Sequence, residues 1–318
     1  MVTDLPAGSR VGGQVPALRH LALVGPTASG KSAVAIEVAR ALGDVEIVTA
    51  DSMQVYRGMD IGTAKPDLAA RAGVRHHLID LVDPDEEWTL SRWVLAAREA
   101  LGQIERRGRR ALLVGGTGLY FQALVDELDI PGRHPEVRAE LEAEPDTAAL
   151  HRRLVAVDPL AASRILPGNR RRVLRALEVT LGSGRPFSSY GPGLQAYPSV
   201  AWRVTGLRTD ASVLSARIAR RLEAMLAAGL LDEVRRLAAR PDGLSHTARQ
   251  ALGYRELLAH LELGVDLSTS LEETLRRTRS FARRQRVWWR RDPRVAWLDA
   301  GDNPLALAPR LLGEWKAP

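Results

Sequence analysis

The chain has 318 residues, 45% of them hydrophobic and 26% charged, a composition that predicts a folded protein with a large core. The absence of cysteine excludes disulfides, zinc–thiolate sites and cysteine nucleophiles, and no apolar run reaches the roughly 18 residues of a membrane-spanning helix. The net charge of +7 is compatible with a polyanionic partner, and we expect a cytoplasmic protein that does not bind a membrane.

The N-terminal part of the chain alternates strands with helices. Residues 1–16 are rich in Gly and Pro and lack the apolar core of a signal peptide, which predicts a disordered leader. Short apolar runs predict strands at residues 18–25, 45–50, 76–80 and 111–115, and apolar periodicity predicts helices at residues 32–42 and 88–106. This order is typical of a parallel α/β sheet, in which ligands bind at the C-terminal ends of the strands.

The second half of the chain is mainly helical. Residues 126–191 carry Arg-, Ala- and Leu-rich helical patterns interrupted by proline, which predicts a small helical insertion domain. Two more strands are predicted at residues 201–207 and 295–298, with long helices at 210–239, 249–263 and 271–290. The catalytic core would then comprise residues 17–125 and 192–318.

A phosphate-binding motif follows the first predicted strand. Residues 25–32 read GPTASGKS and match G-x-x-x-x-G-K-[ST], so the fold class is α/β with a P-loop parallel sheet flanked by helices. Its members are Gly25, Pro26, Thr27, Ala28, Ser29, Gly30, Lys31 and Ser32. Backbone N–H groups would cradle phosphates, Lys31 would neutralise them and Ser32 would ligate Mg²⁺. The motif predicts a diphosphate or nucleotide ligand but does not specify hydrolysis.

Lysine is rare in this chain. Only Lys31, Lys65 and Lys316 are lysines among 45 basic residues. A retained lysine can therefore mark a site that needs a compact ammonium group. Lys31 is such a site, and for Lys65 a chance occurrence is the alternative.

Two further candidates fall at predicted strand ends. Asp51 begins the stretch DSMQVYRG and could act as a general base or hold Mg²⁺ through water, although a turn cap is the alternative. Residues 115–118 read GGTG, which allows either a tight turn or close approach of another molecule beside the Thr117 hydroxyl. No acidic residue ends this strand, which argues against a motor or switch NTPase.

Two arginine clusters are candidates for contact with nucleic acid. The first comprises Arg170, Arg171, Arg172 and Arg175, and the second comprises Arg276, Arg277, Arg279, Arg283, Arg284, Arg286, Arg290, Arg291 and Arg294, with Phe281, Trp288 and Trp289 interleaved. Arginine pairs with phosphates and aromatic rings stack on unpaired bases. Solvated helix faces with tryptophans in the core are the alternative, but together with a P-loop the two clusters favour RNA.

These stretches together resemble one family, the bacterial tRNA dimethylallyltransferases, also called tRNA isopentenyltransferases. The matching segments are GPTASGKS (25–32), DSMQVYRGMDIGTAKP (51–66), HHLID (76–80), LLVGGTGLYFQAL (112–124), PEVR (135–138), RRVLRALEV (171–179), ALGYRE (251–256) and ARRQRVWWRR (282–291). The resemblance implies a Mg²⁺-dependent enzyme, which we expect to be a monomer. It would transfer a dimethylallyl group from dimethylallyl diphosphate to N6 of adenine 37, in the anticodon stem-loop of tRNAs that read codons starting with U.

The resemblance also implies roles for individual residues. Asp51 would deprotonate the acceptor amine, Thr117 would touch the tRNA or line the reaction channel, and Arg221 would assist the diphosphate. The implied tRNA-binding residues are Asp51, Ser52, Met53, Gln54, Thr117, Arg138, Arg171, Arg172, Arg175, Gln250, Gly253, Tyr254, Arg255, Arg283, Arg284, Gln285 and Trp288. The helical insertion would contact tRNA as well.

The chain departs from the usual family pattern at tRNA-facing positions. Residues 166–169 read LPGN where the family often has His-Pro-Asn-Asp, Arg283 replaces a lysine, and residues 286–287 replace a local threonine. Two other functions remain open from the residues alone. A P-loop kinase would leave the Arg- and Trp-rich C-terminal helix unexplained, and a non-catalytic RNA-binding switch predicts that Asp51→Ala is harmless.

Overall fold

The computed structural model describes residues 20–191 and 193–316, so the predicted leader at residues 1–16 lies outside the described residues. The strands are β1 (His20–Val24), β2 (Val45–Thr49), β3 (His76–His77), β4 (Arg110–Gly115), β5 (Trp202–Arg208) and β6 (Ala296–Asp299). The helices are α1 (Lys31–Leu42), α2 (Leu68–Arg71), α3 (Leu90–Arg106), α4 (Gly118–Val125), α5 (Pro135–Glu142), α6 (Thr147–Val157), α7 (Pro159–Arg164), α8 (Arg170–Ser183), α9 (Ala211–Ala227), α10 (Leu230–Ala238), α11 (His246–Arg249), α12 (Tyr254–Leu263), α13 (Leu267–Trp289) and α14 (Ala308–Lys316).

The six strands form one parallel sheet in the order β3-β2-β4-β1-β5-β6. All residues of β1 and β2 are buried, as the continuous apolar runs predict for strands covered on both faces. The predicted parallel sheet flanked by helices is confirmed. Because parallel strands end at the same edge, the loops after β1, β2 and β4 are brought together there.

Alternate side chains of each strand enter two separate cores. Leu21 and Leu23 pack on the face covered by α1 and α14. Ala22 and Val24 pack on the opposite face, which is covered by α3, α4, α10, α11 and α12. Trp93, Trp289 and Trp315 are among the largest fully buried side chains. Within the described residues, no helix is both long and apolar enough to cross a membrane.

Several predicted boundaries were wrong, and left-handed backbone explains most of them. The predicted helix 210–239 is two helices, because Gly229 has φ 96° between α9 and α10. The strand predicted at residues 76–80 stops at His77, since Leu78 and Asp80 have φ of 65° and 57°. The helix predicted at 249–263 begins only at Tyr254, because Gly253 before it has φ 87°.

Residues 126–191 contain α5, α6, α7 and α8, which share their own small core. Leu150, Leu154, Val173 and Leu177 are its buried members, separate from the two cores of the sheet. Arg170 donates to the carbonyl of Glu142, the last residue of α5, and to the carbonyl of Glu144 just after it. These hydrogen bonds join α8 to α5. Contact of this segment with tRNA stays a prediction.

A buried carboxylate fixes the turn at residues 60–62, which lies in the segment between β2 and β3. Glu233 of α10 is 2% exposed and accepts hydrogen bonds from the N–H groups of Asp60 (3.0 Å), Ile61 (2.8 Å) and Gly62 (3.1 Å). The Tyr254 hydroxyl donates to the same carboxylate at 2.5 Å. Charge-assisted hydrogen bonds of this kind offset the cost of burying the charge. The segment is therefore held against α10 and α12.

Substitution of Gly62 tests how tightly this turn is packed. A Cβ on Gly62 would lie 2.4 Å from the Tyr254 ring, so Gly62→Ala should lower the free energy of unfolding by about 1–3 kcal/mol. Gly102→Ala is the matched control, because Gly102 lies in the interior of α3 with only an Arg106 side-chain atom nearby, at 3.5 Å. Helix propensity predicts that this control gains about 0.5–1 kcal/mol. Urea unfolding of both variants would measure the difference, and equal effects would contradict the proposed packing.

Candidate active site

A cavity of about 340 Å³ lies over the C-terminal ends of β1, β2 and β4. Side chains from the P-loop, the segment after β2, the end of β4, and helices α9 and α13 line it. Lys31, Ser32, Asp51, Thr117 and Arg221 are all among the lining residues. The structure therefore brings together the candidates that the sequence placed at separate strand ends, together with Arg221.

The P-loop has the left-handed backbone that its glycines permit. Gly25, Ala28 and Gly30 have φ of 150°, 62° and 87°, and α1 starts directly after Gly30. Such alternation turns successive N–H groups toward one concave face, and the helix N-terminus adds partial positive charge. The Lys31 ammonium folds back to donate to the Pro26 carbonyl at 3.0 Å. The loop is thus shaped to hold an anion.

Lys31 and Arg221 are half-buried cations that share the cavity with Asp51. Burial lowers the pKa of Lys31 to about 8, an effect that Asp51 partly opposes and that Arg221 increases. Burial also lowers the pKa of the Arg221 guanidinium, again with partial opposition from Asp51. The two positive groups therefore repel one another in a desolvated site. An anionic ligand would relieve both effects.

Arg221 is aimed at the P-loop by α9. Its Nη2 donates to the Thr27 hydroxyl at 2.8 Å. Ile218 and Met225 lie three and four residues from Arg221 on the same helical face, and both line the cavity together with the adjacent Leu222. This face of α9 therefore supplies one guanidinium within an otherwise apolar wall.

Asp51 is held at the end of β2 by its own chain. Its Oδ1 accepts a hydrogen bond from the Met53 N–H at 2.9 Å, which fixes the carboxylate at the cavity edge. Gln54 is buried and donates to the Thr63 carbonyl at 3.1 Å. The turn that Glu233 anchors is thereby connected to the residues that follow Asp51.

Lys65 occupies a small polar cage, which supports the need for a compact ammonium there. Its Nζ donates to Asp60 Oδ1 (2.6 Å), Asp80 Oδ1 (2.6 Å) and the Tyr56 carbonyl (2.7 Å), and the side chain is 2% exposed. Three donors in three directions match an ammonium better than a planar guanidinium. Of the two readings of Lys65, the structure favours a specific site over chance.

The end of β4 is packed so closely that only glycine fits. A Cβ on Gly115 would lie 2.2 Å from the Ala50 carbonyl, and one on Gly118 would lie 2.1 Å from the Trp288 ring. Thr117 caps α4 without a hydrogen bond from its side chain, and its side chain lines the cavity. Close packing therefore brings this threonine near Asp51, which follows Ala50.

Helix α13 forms another wall of the cavity. Arg277, Phe281 and Arg284 line it at helical spacing. Arg277 forms an ion pair with Glu256, and Arg284 donates to Ser280 at 2.9 Å. Arg284 is exposed, so it lies where the cavity meets the surface.

The predicted tRNA-binding residues fall into three groups. Ser52, Met53, Gln54, Gln250, Gly253 and Arg284 line the cavity with Asp51 and Thr117. Arg171, Arg172, Arg255 and Arg283 are exposed outside it. The remaining five, Arg138, Arg175, Tyr254, Gln285 and Trp288, are buried or half-buried and do not line the cavity.

Members of the third group have partners inside the protein. Arg175 donates to Glu178 at 2.7 Å and to the Pro131 carbonyl at 2.8 Å, and Arg138 donates to Glu142 at 2.7 Å. Tyr254 is fully buried on Glu233, and so its side chain does not reach a surface ligand in this structure. The sequence could not reveal these orientations, which depend on tertiary contacts.

Glu233 is a positioning residue that sequence reasoning missed. In α10 it belongs to the buried set Leu230, Glu233, Val234 and Leu237. A carboxylate on an otherwise apolar helical stripe is the signal that could have found it, because a buried charge needs partners.

Oxygen ligands suited to Mg²⁺ are present in the cavity. Among the described residues, no group of three or more His, Asp and Glu side chains could hold a metal ion. Ser32 and Asp51 nevertheless both line the cavity, and Mg²⁺ commonly uses one or two protein oxygens together with phosphate oxygens and water. The residues present therefore fit a magnesium ion bound together with a phosphorylated ligand.

A parallel sheet with β1 near its centre, a P-loop after β1 and a cavity over the strand ends place the chain among the P-loop α/β proteins. The family model described as IPP transferase matches residues 54–292, and the chain belongs to this family.

Known relatives cover almost the whole chain. It is 46% identical over 315 residues to the tRNA dimethylallyltransferase of Salinispora tropica, with 97% of each chain covered. It is 47% identical over 300 residues to that of Streptomyces coelicolor, with 93% of this chain and 95% of the relative covered.

Solved structures show the same fold. The full-length tRNA isopentenylpyrophosphate transferase of Bacillus halodurans is 36% identical, with a TM-score of 0.67, and 94% of this chain and 98% of that chain are covered. A eukaryotic dimethylallyltransferase acting on tRNA is 26% identical, with a TM-score of 0.77, and 92% of this chain and 77% of that chain are covered.

The pKa of Lys31 predicts how diphosphate binding depends on pH. With a free-enzyme pKa of about 8, Lys31 is charged below that pH and loses its charge above it. Because the anion binds the charged form better, affinity for Mg²⁺–diphosphate should fall by up to about tenfold per pH unit above the pKa.

Titration calorimetry from pH 6.5 to 9.5 would measure this slope. Lys31→Met is the control, since its pH profile reports only the ionisation of the ligand and of other groups. If the wild-type and Lys31→Met profiles were parallel, Lys31 would not be the titrating group.

Proposed function

We propose that this protein transfers a dimethylallyl group from dimethylallyl diphosphate to N6 of adenine 37 in tRNAs that read codons starting with U, with release of diphosphate. One observation carries the proposal. Lys31, Arg221 and Asp51 meet in a single cavity that also has an apolar wall formed by Ile218, Leu222, Met225 and Leu275, so that an anion site and a candidate base lie beside room for a hydrocarbon. The names and functions of the relatives, which act on tRNA, support the same activity.

The cationic end of the cavity suits the leaving group. Breaking an allylic C–O bond builds negative charge on diphosphate, and preorganised donors stabilise that charge most where water is excluded. The P-loop N–H groups, Lys31 and Arg221 would supply these donors. A Mg²⁺ ion held by Ser32, and through water by Asp51, would neutralise further phosphate charge.

The apolar wall suits the prenyl chain. Ile218, Leu222 and Met225 of α9 and Leu275 of α13 line the cavity close to the cations. Packing of a five-carbon chain against these side chains would remove apolar surface from water, which is favourable. The anchored diphosphate would orient the chain. Donor binding would thus place the allylic carbon at the interface between the apolar and charged parts of the cavity.

Asp51 is the residue best placed to act on the acceptor. Adenine N6 is a poor nucleophile, and a carboxylate that accepts its proton as the new C–N bond forms would promote attack. The fixed position of Asp51 at the end of β2, opposite the closely packed Thr117 strand end, supports this role. The adenine would have to leave its stack to reach the cavity.

The exposed arginines supply a surface for the tRNA backbone. Arg283 and Arg284 on α13, and Arg171 and Arg172 on α8, present side chains to solvent. Phosphate contacts from such residues would offset the cost of extruding the base. We expect a cytoplasmic monomer that binds the anticodon stem-loop along this surface.

The proposal predicts that Asp51→Asn lowers kcat by roughly 10²- to 10⁴-fold while tRNA affinity changes by less than about twofold. Asparagine preserves size and can still accept from the Met53 N–H, but it cannot take a proton. Transfer of radiolabel from dimethylallyl diphosphate to tRNA would give kcat, and filter binding would give affinity. Asp67→Asn is the control, because Asp67 is an exposed cap of α2.

The outcome that refutes the role of Asp51 is a large loss of tRNA binding with an unchanged kcat. The function as a whole is tested by mass spectrometry of position 37 in tRNA from cells with and without the protein. An isopentenyl group of equal abundance in both would overturn the proposed function.

A further inference from the structure

Gln285 lies on α13 next to Arg284, but the two side chains have opposite surroundings. Arg284 is exposed at the cavity edge, whereas Gln285 is 6% exposed and does not line the cavity. The Gln285 Oε1 accepts a hydrogen bond from the backbone N–H of Thr27, in the P-loop, at 2.8 Å. A residue of the arginine-rich helix α13 is therefore hydrogen-bonded to the phosphate-binding loop.

The other side of the Gln285 amide is fixed by the end of β4. A Cβ on Gly116 would lie 2.2 Å from Gln285 Nε2, so the absence of a side chain at Gly116 makes room for the amide. Trp289, one turn further along α13, donates to the Gly116 carbonyl at 3.3 Å. The amide is thereby confined between two strand-end loops, and its carbonyl oxygen is directed at Thr27.

Thr27 connects Gln285 to the cation that faces the cavity. Its N–H donates to Gln285, and its hydroxyl accepts from Arg221 at 2.8 Å. Displacement of Thr27 would therefore move the hydroxyl on which Arg221 rests. Gln285 and Arg221 are in this way two supports of one P-loop residue, from two different helices.

We propose that Gln285 is a positioning residue for the diphosphate, acting through Thr27 and Arg221, rather than a contact for tRNA. This inference rests on the proposed function in taking diphosphate as the ligand of the P-loop. Helix α13 would then carry residues that face the tRNA, such as Arg284, and one residue, Gln285, that fixes the diphosphate site.

Gln285→Met tests the proposal, because methionine is similar in size but accepts hydrogen bonds only weakly. The Thr27 N–H would lose a buried partner, and affinity for inorganic diphosphate with Mg²⁺ should fall by roughly tenfold or more. Affinity for an anticodon stem-loop RNA should stay within about twofold of wild type. Calorimetry with inorganic diphosphate and fluorescence anisotropy with the RNA measure the two quantities on the full chain.

Arg283→Ala is the matched control, because Arg283 lies two residues away on α13 and is exposed outside the cavity. It should weaken RNA binding and flatten its dependence on salt, with diphosphate affinity unchanged. The reverse pattern, in which Gln285→Met weakens RNA binding and spares diphosphate, would overturn the proposal. So would a Gln285→Met variant that binds both ligands like wild type.

A double-mutant cycle separates positioning from general loss of stability. If Gln285 acts through Arg221, the effects of Gln285→Met and Arg221→Ala on diphosphate affinity should be clearly less than additive. Strict additivity would contradict the proposed route. If Gln285→Met fails to fold, Thr27→Val tests the same route, because it removes the hydroxyl that Arg221 contacts and keeps the backbone N–H that binds Gln285. Wild-type diphosphate affinity in that variant would refute the proposal.

Both binding probes work without prenyl transfer. A wild-type protein that binds diphosphate but transfers no label from dimethylallyl diphosphate would overturn the proposed function alone, and the role of Gln285 in diphosphate binding would still be decided by the variants.

Discussion

The partial burial of Lys31 and Arg221 beside the carboxylate of Asp51 is the constraint around which the site is built. Lys31 and Arg221 both lose hydration in the cavity, which lowers the pKa of each group, and Asp51 offsets only part of this cost. The surrounding structure must therefore hold the cations in place without neutralising them. Lys31 donates to the Pro26 carbonyl and Arg221 donates to the Thr27 hydroxyl, while the Met53 N–H donates to Asp51 and holds the carboxylate. The positive charge of Lys31 and Arg221 exceeds the negative charge of Asp51, so the cavity favours an anionic ligand.

A second set of polar contacts keeps the acceptor side of the cavity rigid. Glu233 accepts hydrogen bonds from three consecutive N–H groups of the turn at residues 60–62. Lys65 binds oxygens of Tyr56 before the turn, Asp60 in the turn and Asp80 after it. Each buried charge is satisfied by several hydrogen bonds, so the segment after Asp51 is defined by the protein before any ligand is present. Preorganisation of this kind lowers the cost of ordering a loop when the tRNA base arrives.

Local signals in the sequence predicted the parts of the structure that are locally determined. The strands β1, β2 and β4 and the helix after GPTASGKS were recognised because continuous apolar runs and a phosphate-loop motif each occupy one short stretch. The breaks at Gly229 and Gly253 were missed although glycine was visible there, since the apolar periodicity runs through both positions. The motif and the strand ends together were enough to predict that Asp51 and Thr117 share a cavity with the P-loop.

The orientations of individual side chains could not be predicted from the sequence. Arg284 and Gln285 are neighbours in an Arg-rich stretch, yet one faces solvent and the other is buried on Thr27. Arg175 and Tyr254 likewise have internal partners that lie far from them in the chain or on another helix. Which face of a helix is covered depends on the packing of distant elements, and that information is not contained in any local pattern.

The position of β1 between β4 and β5 determines when the site can form during synthesis. β1 pairs with residues 112–115 on one side and with residues 202–206 on the other, so the middle of the sheet cannot close until most of the chain has been made. Arg221 and Gln285, which fix Thr27, emerge from the ribosome later still. The P-loop is thus translated well before the residues that complete it, and a nascent or truncated chain would expose an apolar sheet edge without a working anion site.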